Sequence, residues 1–498
     1  MQPLPSTSPI WQREEFPRHP RLEADRHCEV AVVGGGVTGV TTALLLAEAG
    51  AKVVLLEGRQ LGAGVTGATT AHLTEVLDTR YHTLASRFGE AGARLAREAS
   101  RSAIATIASL VPESASGFAQ LDGYLFATDK AQLHELDAEV EAARKAGAEV
   151  ERLNQAPLPL PHLGALAFRN QAQLEPLRYL KALAARLART SAAVYEDTQV
   201  LDVETKGVLR VQTAAGGTVT ADAVVLATHA PYATMKVELQ LAQYRSYVVA
   251  GPVAKPLGGL FWDMADAYHY LRSTERNGRP YLIVGGGDHR TGEVREGPDE
   301  PYRELQAYAA RLGSTAEFRW SAQVAEPADG LPLIGKPEND VELYVAQGYA
   351  GNGITFGTLA AGIVSDALLR RFNRYAELVR ADRLKPLAGA SALLAENAET
   401  AAHLAAGHLM PVAELPLGQL ARGEGRIVKV SGKKLAVFRD EQGALHALSP
   451  VCTHQGCQVA FNPVEKSWDC PCHGSRFDVS GQVLDGPAKK PLERQSLA

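Results

Sequence analysis

An apolar run from Cys28 to Val33 is followed by a glycine turn, a helical apolar periodicity over Val37 to Ala49, and a second apolar run over Lys52 to Glu57. Short apolar runs bounded by turns read as buried strands and a longer periodic run as a helix, so the pattern predicts a βαβ unit. Ala221 to Thr228 and Glu342 to Gln347 predict two further strands of the same layer. The second leads through Gly348 to Gly353 into a helix over Ile354 to Leu369. Between them the pattern changes: Trp262 to Leu271 and Pro280 to Gly285 carry aromatic and β-branched residues at strand-like spacing, which predicts a separate antiparallel sheet. From about Leu384 the chain is Ala-rich and weakly helical through Ala405. Pro411 to Pro491 then breaks into short strands between Gly and Asp turns. The fold class is α/β, a Rossmann-like domain interleaved with an antiparallel-sheet domain, with an all-β domain at the C-terminal end.

The boundaries that follow are an arm over 1–28, a main unit over 29–383, a helical linker over 384–408 and the small β domain over 409–498. Within the main unit the dinucleotide part takes about 29–100, 165–235 and 328–373, and the substrate part about 101–164 and 236–327.

Composition narrows the classes of function. At 498 residues the chain exceeds one hydrophobic core, and a net charge of −5 offers no concentrated basic surface for nucleic acid or anionic membranes. The apolar runs fall short of the roughly 18 residues of a membrane span, so no integral membrane segment is expected. Charges and prolines over Met1 to Arg26 replace the apolar core of a signal peptide, so a cytoplasmic location is expected. Of five cysteines, four fall between Cys452 and Cys472, a spacing that points to local metal or redox chemistry; Cys28 reads as a small buried residue.

Gly34, Gly36 and Gly39 form a G-x-G-x-x-G placed directly after a strand and before a helix. Gly34 allows the tight turn, Gly36 admits a pyrophosphate close to the backbone, and Gly39 lets the helix pack against the strand. Glu57 ends the second strand, about 20 residues on, where its carboxylate can bind a ribose diol. A second match at Gly62, Gly64 and Gly67 has no strand of its own and is read as a loop approaching the same cofactor.

With these residues the chain resembles the D-amino-acid oxidase, glycine oxidase and sarcosine oxidase superfamily over roughly Glu29 to Asn373. The resemblance rests on the glycine motif with Glu57, the loop Gly64 to Ala71, the strand Val224 to Thr228, the segment Asp329 to Gly335 and the closing Gly348 to Thr355. It implies FAD, bound by Gly34, Gly36, Val37, Thr38, Gly39 and Glu57 and by Thr66, Gly67, Ala68, Thr69 and Thr70. Val200, Ala227 and Thr228 are implied alongside them, and Gly351, Asn352, Gly353, Ile354 and Thr355 at the flavin edge. This sequence departs from the superfamily in two places. His229 follows Ala227-Thr228 where glycine is usual, and Val324 stands where amino-acid-oxidising relatives carry an arginine for the substrate carboxylate. Arg272 or Arg290 is the alternative source of that cation.

Cys452-Thr453-His454-Gln455-Gly456-Cys457 and Cys470-Pro471-Cys472-His473-Gly474-Ser475 each deliver a Cys and a His. A Rieske [2Fe-2S] centre needs two thiolates on one iron and two imidazoles on the other, which Cys452, Cys470, His454 and His473 supply. A zinc site from the same residues is the rival reading. The Gly-Ser after the second His and the later Gly486-Pro487-Ala488 resemble Rieske domains over Pro411 to Leu492. The likeness is to the high-potential type, and it implies a disulfide between Cys457 and Cys472. Phe477 stands where the highest-potential members have tyrosine, so a potential below the top of the range is expected. FAD retention is expected to be independent of the cluster, because the glycine motif lies in another domain.

Candidate catalytic residues are His72, after the Thr69-Thr70-Ala71 loop, and the run Tyr268, His269, Tyr270 and Arg272. Alternation puts Tyr268, Tyr270 and Arg272 on one face and His269 on the other. Asp288 and His289 are a weaker pair after Gly285 to Gly287. The expected function is FAD-dependent oxidation of a small substrate at an amine C–N bond, with single electrons relayed through the cluster to an external acceptor. An NAD(P)H-driven reductase for a partner oxygenase and a cluster-gated redox sensor are the alternatives.

Overall fold

The structure is a computed structural model that describes residues 7–11, 16–230, 235–266, 268–293, 300–338, 341–383, 398, 403 and 416–497. Apart from two isolated residues, the expected helical linker 384–408 lies outside the described residues.

The first sheet has eight strands. Its main path runs Leu333–Gly335, Leu343–Gln347, Thr218–Leu226, Arg26–Val33, Val53–Leu56 and Ala193–Tyr195. Leu333–Gly335 pairs antiparallel with Leu343–Gln347, and the other four pairings along the path are parallel. Arg26–Val33 is sandwiched, so both of its faces are apolar: Val30 and Val32 pack into one core and Ala31 and Val33 into another. Helices Val37–Glu48 and Gly353–Leu368 cover the first of these faces and pack against each other. They approach closely at Gly357, where a Cβ would lie 2.6 Å from Thr38 Oγ1.

The second sheet has nine strands in the order Phe318–Pro327, Leu241–Pro252, Arg279–Arg290, Tyr270–Arg276, Leu260–Asp263, Ala119–Ala127, Gly164–Gln173 and His72–Leu73, with Val150–Leu153 paired to Gly164–Gln173. It is antiparallel except where Leu260–Asp263 runs parallel to Ala119–Ala127. Two of its strands, His72–Leu73 and Gly164–Gln173, come from stretches that the sequence pattern assigns to the dinucleotide part. The apolar run Trp262 to Leu271 does not form one strand. Asp263 turns the chain back on itself by accepting the His269 backbone N–H at 2.8 Å, so Tyr268 and His269 precede the strand Tyr270–Arg276.

The C-terminal part holds a three-stranded sheet, Gly425–Val430, Lys433–Arg439 and Leu445–Leu448, and a four-stranded sheet, Ala460–Asn462, Ser467–Asp469, Arg476–Asp478 and Val483–Asp485. The two Cys/His motifs occupy the loops between these strands. No helix among the described residues is long and apolar enough to cross a membrane. Cys28 is half-buried near the start of its strand, with its thiol pushed up to about 12, chiefly by burial.

Candidate functional site: a dinucleotide cavity beside a cysteine and histidine centre

One cavity of about 500 Å³ gathers most of the sequence-predicted cofactor residues. Its glycine turn is built as the spacing demands. Gly34 has φ +110°, and a Cβ there would sit 2.3 Å from the Ala227 carbonyl oxygen; a Cβ on Gly39 would sit 1.8 Å from the Gly34 oxygen. Gly39 therefore serves packing and does not line the cavity, whereas Gly34, Gly36, Val37 and Thr38 do. The helices starting at Val37 and Gly353 both begin at the cavity without a side-chain cap or an acidic residue in the first turn. The positive ends of the two helix dipoles, with no acidic residue beside them, favour negative charge.

Glu57 lines the cavity and accepts the Gly35 N–H at 2.7 Å on one oxygen and the Arg59 N–H at 2.8 Å on the other. Burial raises its pKa against the pull of those two backbone donors. The loop after Glu57 comes to the same place. Thr66 Oγ1 accepts the Val37 N–H at 3.1 Å, and Trp320 and Trp11 pin the Ala68 and Thr69 carbonyls at 2.7 and 2.8 Å. Thr66, Ala68, Thr69 and Thr70 line the cavity, while Gly67 packs against Gly62 beneath it. Val200, Ala227, Thr228, Gly351, Asn352, Gly353 and Ile354 line it as well; Thr355 is buried behind the wall. His229 has φ 63°, a left-handed conformation that favours glycine. Its ring lines the cavity, and its Nε2 is buried without a hydrogen bond. Glycine cradle, carboxylate and open helix ends together fit an adenine dinucleotide cofactor.

The far end of the cavity carries the candidate catalytic residues, divided differently from the sequence expectation. Tyr268 and Tyr270 line it, with ring centroids 5.8 Å apart. Tyr270 hydrogen bonds with Ser246 at 2.9 Å, and its ring lies over Gly285, where a Cβ would be 2.1 Å away. Tyr268 donates to Asp78 at 3.2 Å, and the other Asp78 oxygen accepts the Gly351 N–H at 2.6 Å. His72 lines the cavity, but both of its nitrogens are engaged, with Thr70 Oγ1 at 3.2 Å and the Leu271 carbonyl at 3.3 Å. Burial, reinforced by Arg272, brings its pKa down to about 3, so the ring is neutral.

Arg272 shares the tyrosines' face but lies beneath the wall. Its Nη1 donates to the carbonyls of Thr70, Ala71 and Leu174 at 2.8 to 3.0 Å. It braces the Thr70 loop and is not positioned to grip a carboxylate. His269 faces away, paired with Asp263 at 2.9 Å and stacked on Tyr308. Val324 lines the cavity, as do Arg80, Asp288 and Glu326. Asp78, Ser246 and Glu326 had no motif to flag them, because they reach the cavity from three separate segments.

In the C-terminal domain the four expected ligands converge. Cys452 and Cys470 are buried neighbours, and Cys457 and Cys472 form a disulfide. A hydrogen bond from Cys470, opposed by burial and helped by His454 N–H and Ser475, holds the Cys452 thiol below its ordinary value. The His454 and His473 rings are 5.1 Å apart. His454 Nδ1 is buried without a hydrogen bond, while its Nε2 lies 3.1 Å from Glu238; His473 Nε2 lies 3.7 Å from the same carboxylate. Two thiols and two imidazoles, with an orphaned Nδ1 on the inner side, suit a [2Fe-2S] centre of the Rieske type. Glu238 with the two Nε2 atoms forms a second possible metal triad, but it leaves that orphaned nitrogen unexplained.

The two sites abut. Gln323 lines the cavity and donates to the Gly474 carbonyl at 2.9 Å, one residue after His473. Arg245 of the large sheet reaches Glu465 at 2.6 Å, and Glu465 and Asp485 also pair with Arg476 at 2.9 and 3.0 Å. Burial pushes Glu465 and Asp485 upward, yet the guanidinium groups outweigh it and hold both carboxyls below their ordinary values.

Comparison with known proteins agrees with this reading. The family profile "FAD dependent oxidoreductase" matches residues 29–367 and "Rieske [2Fe-2S] domain" matches 410–496. The putative Rieske 2Fe-2S iron-sulfur protein YhfW of Bacillus subtilis is 34% identical over 491 residues, covering 97% of this chain and 96% of that protein. Gamma-glutamylputrescine oxidoreductase of Escherichia coli is 26% identical over 382 residues, 70% of this chain and 86% of that protein. The crystal structure of glycine oxidase from Geobacillus kaustophilus superposes with a TM-score of 0.62 at 21% identity, covering 72% of this chain and 99% of that one. The chain belongs to the FAD dependent oxidoreductase family, as an amine-oxidoreductase-like enzyme carrying a Rieske [2Fe-2S] domain at its C-terminal end.

Proposed function

We propose that the enzyme oxidises a small amine at a C–N bond and passes the electrons one at a time through the Rieske centre to an external acceptor. The observation that carries this reading is the juxtaposition of the two sites through Gln323, whose side chain faces the cavity and hydrogen bonds to the second cluster loop. Bound FAD supplies a two-electron acceptor and the [2Fe-2S] centre a one-electron carrier.

The chain's own residues set the substrate. Asp288 and Glu326 line the end of the cavity that holds Tyr268, and both act electrostatically on that tyrosine together with Asp78. Val324 leaves the wall apolar where amino-acid-oxidising relatives carry an arginine, and Arg272 is engaged by backbone carbonyls. Asp78, Asp288 and Glu326 outnumber the Arg80 guanidinium that also lines the cavity, a balance that suits an ammonium group better than a simple α-amino acid. Tyr268 and Tyr270, held by Asp78 and Ser246, form an aromatic wall that orients the amine and excludes water. His72, neutral and bonded through both nitrogens, shapes the wall without exchanging protons.

Anaerobic mixing with a panel of mono- and diamines tests the reading. Flavin absorbance should bleach first and the reduced-cluster EPR signal should follow. Bleaching by NADH and by none of the amines would overturn it in favour of a reductase.

A further inference from the structure

The cavity is not enclosed by the flavoprotein domain alone. Val483, Leu484, Gly486 and Lys489 of the C-terminal domain line it too, all from the strand Val483–Asp485 and the turn that follows. Their position along the cavity is fixed by contacts with the strand Val200–Glu204 and its lead-in. Gln199 Nε2 donates to the Lys489 carbonyl at 3.3 Å, and Lys489 Nζ lies 3.7 Å from Asp202. Gln199 packs against Gly58, next to Glu57. Arg59, one residue further, lines the cavity and acts electrostatically on Asp485. A carboxylate ending the second strand marks the ribose end of a dinucleotide, so the C-terminal segment covers the adenosine half. At Gly486 the two domains are within ordinary contact range, a Cβ there falling 3.4 Å from the Ala230 side chain.

The same segment supports the other cofactor. Ala488 N–H donates to Ser475 Oγ at 3.0 Å, and Ser475 closes the loop that carries Cys470 and His473. Asp485 is tied to Arg476 at 3.0 Å, immediately after Ser475.

We infer that the Rieske domain is a structural part of the FAD site. Its segment 482–491 closes the adenosine end, so that FAD binding and docking of the Rieske domain reinforce each other. A wall present only in the docked form must be tightened by the ligand it touches, and by reciprocity the ligand is held more tightly when the wall is in place. The independence of FAD and cluster expected from the separation of the motifs is replaced by coupling through these ten residues. The inference holds for any substrate of the enzyme.

The test uses the full-length chain, with FAD removed and restored. In wild type, hydrogen exchange of a peptide spanning 482–491 should slow on adding FAD by more than that of Gly425–Val430, which lies away from the cavity. In Lys489→Glu, which sets two carboxylates against each other at Asp202, the FAD dissociation constant read by flavin fluorescence should rise about tenfold or more. The visible circular dichroism of the cluster serves as the check that the domain remains folded. Unchanged exchange over 482–491 on FAD binding would overturn the inference, whatever the variant does. An FAD affinity in Lys489→Glu within about twofold of wild type, with the cluster intact, would overturn it as well.

Discussion

The two redox sites are assembled in opposite ways. The iron–sulfur site gathers its four expected ligands and the disulfide from Cys452 to His473, on two neighbouring loops. The dinucleotide cavity takes its wall from the first glycine turn at Gly34, the strands near Val200 and Thr228, the helix start at Gly353 and the C-terminal segment near Lys489. A compact ligand set makes each member indispensable, because an iron with one ligand missing has no substitute nearby. A distributed wall spreads its binding energy, so single changes there give graded losses.

The sharpest break of this comparison is at the cluster. Cys452→Ser, His454→Ala, Cys470→Ser or His473→Ala should abolish assembly, with iron falling from two per chain to none by elemental analysis. Cys457→Ser removes only a constraint, closing 15 residues of chain and worth about 3 kcal/mol by loop entropy, so the cluster should form and then decay faster. Equal loss in Cys457→Ser and Cys452→Ser, in a folded protein, would erase the distinction between ligand and brace.

Next in size is the buried ion network between the domains. Arg245→Met leaves Glu465 and Asp485 with Arg476 as their remaining close cation, and breaking a buried pair costs about 3–5 kcal/mol. The melting temperature should drop accordingly. The acid dependence has a definite sign. Both carboxyls have folded values below their ordinary ones, so their contribution is complete above about pH 4.5 and is lost as pH falls through the folded values. Thermal unfolding followed from pH 7 to pH 3 should show a loss in wild type that is smaller in Arg245→Met.

The smallest effect is expected at Glu57, one contributor among many. Glu57→Gln keeps an acceptor and should weaken FAD modestly, whereas Glu57→Lys sets a cation beside the diol and the Gly35 N–H and should weaken it by a further factor of about ten. Equal FAD retention in all three proteins would remove Glu57 from the site.

The same difference in assembly governs how much could be read before the structure. The cavity positions of Gly34, Gly36 and Glu57 and the convergence of Cys452, His454, Cys470 and His473 were legible because such motifs are set by local spacing. The parallel sheet was legible for a related reason: strands buried on both faces are continuously apolar, as at Val30 to Val33. Tyr268 and Tyr270 were placed together by alternation, but alternation does not say how deep a side chain lies. Arg272, on their face, therefore proved to brace the Thr70 loop, and His269 turned toward Tyr308. Asp78, Glu238 and Gln323 carry no motif and acquire their positions only when distant segments meet. The strand break after Asp263 was hidden because its cause is the Asp263 carboxylate accepting the backbone N–H groups of Ala265 and His269 within an otherwise strand-like run.

The contact of His454 and His473 with Glu238, beside the Gln323 bridge, has a kinetic consequence. In the proposed relay, a centre fixed against the flavin cavity is encountered at a set geometry and not at a concentration. Crossing between the two sites is then first order and indifferent to dilution, while exchange with any outside molecule remains second order and scales with that molecule's abundance.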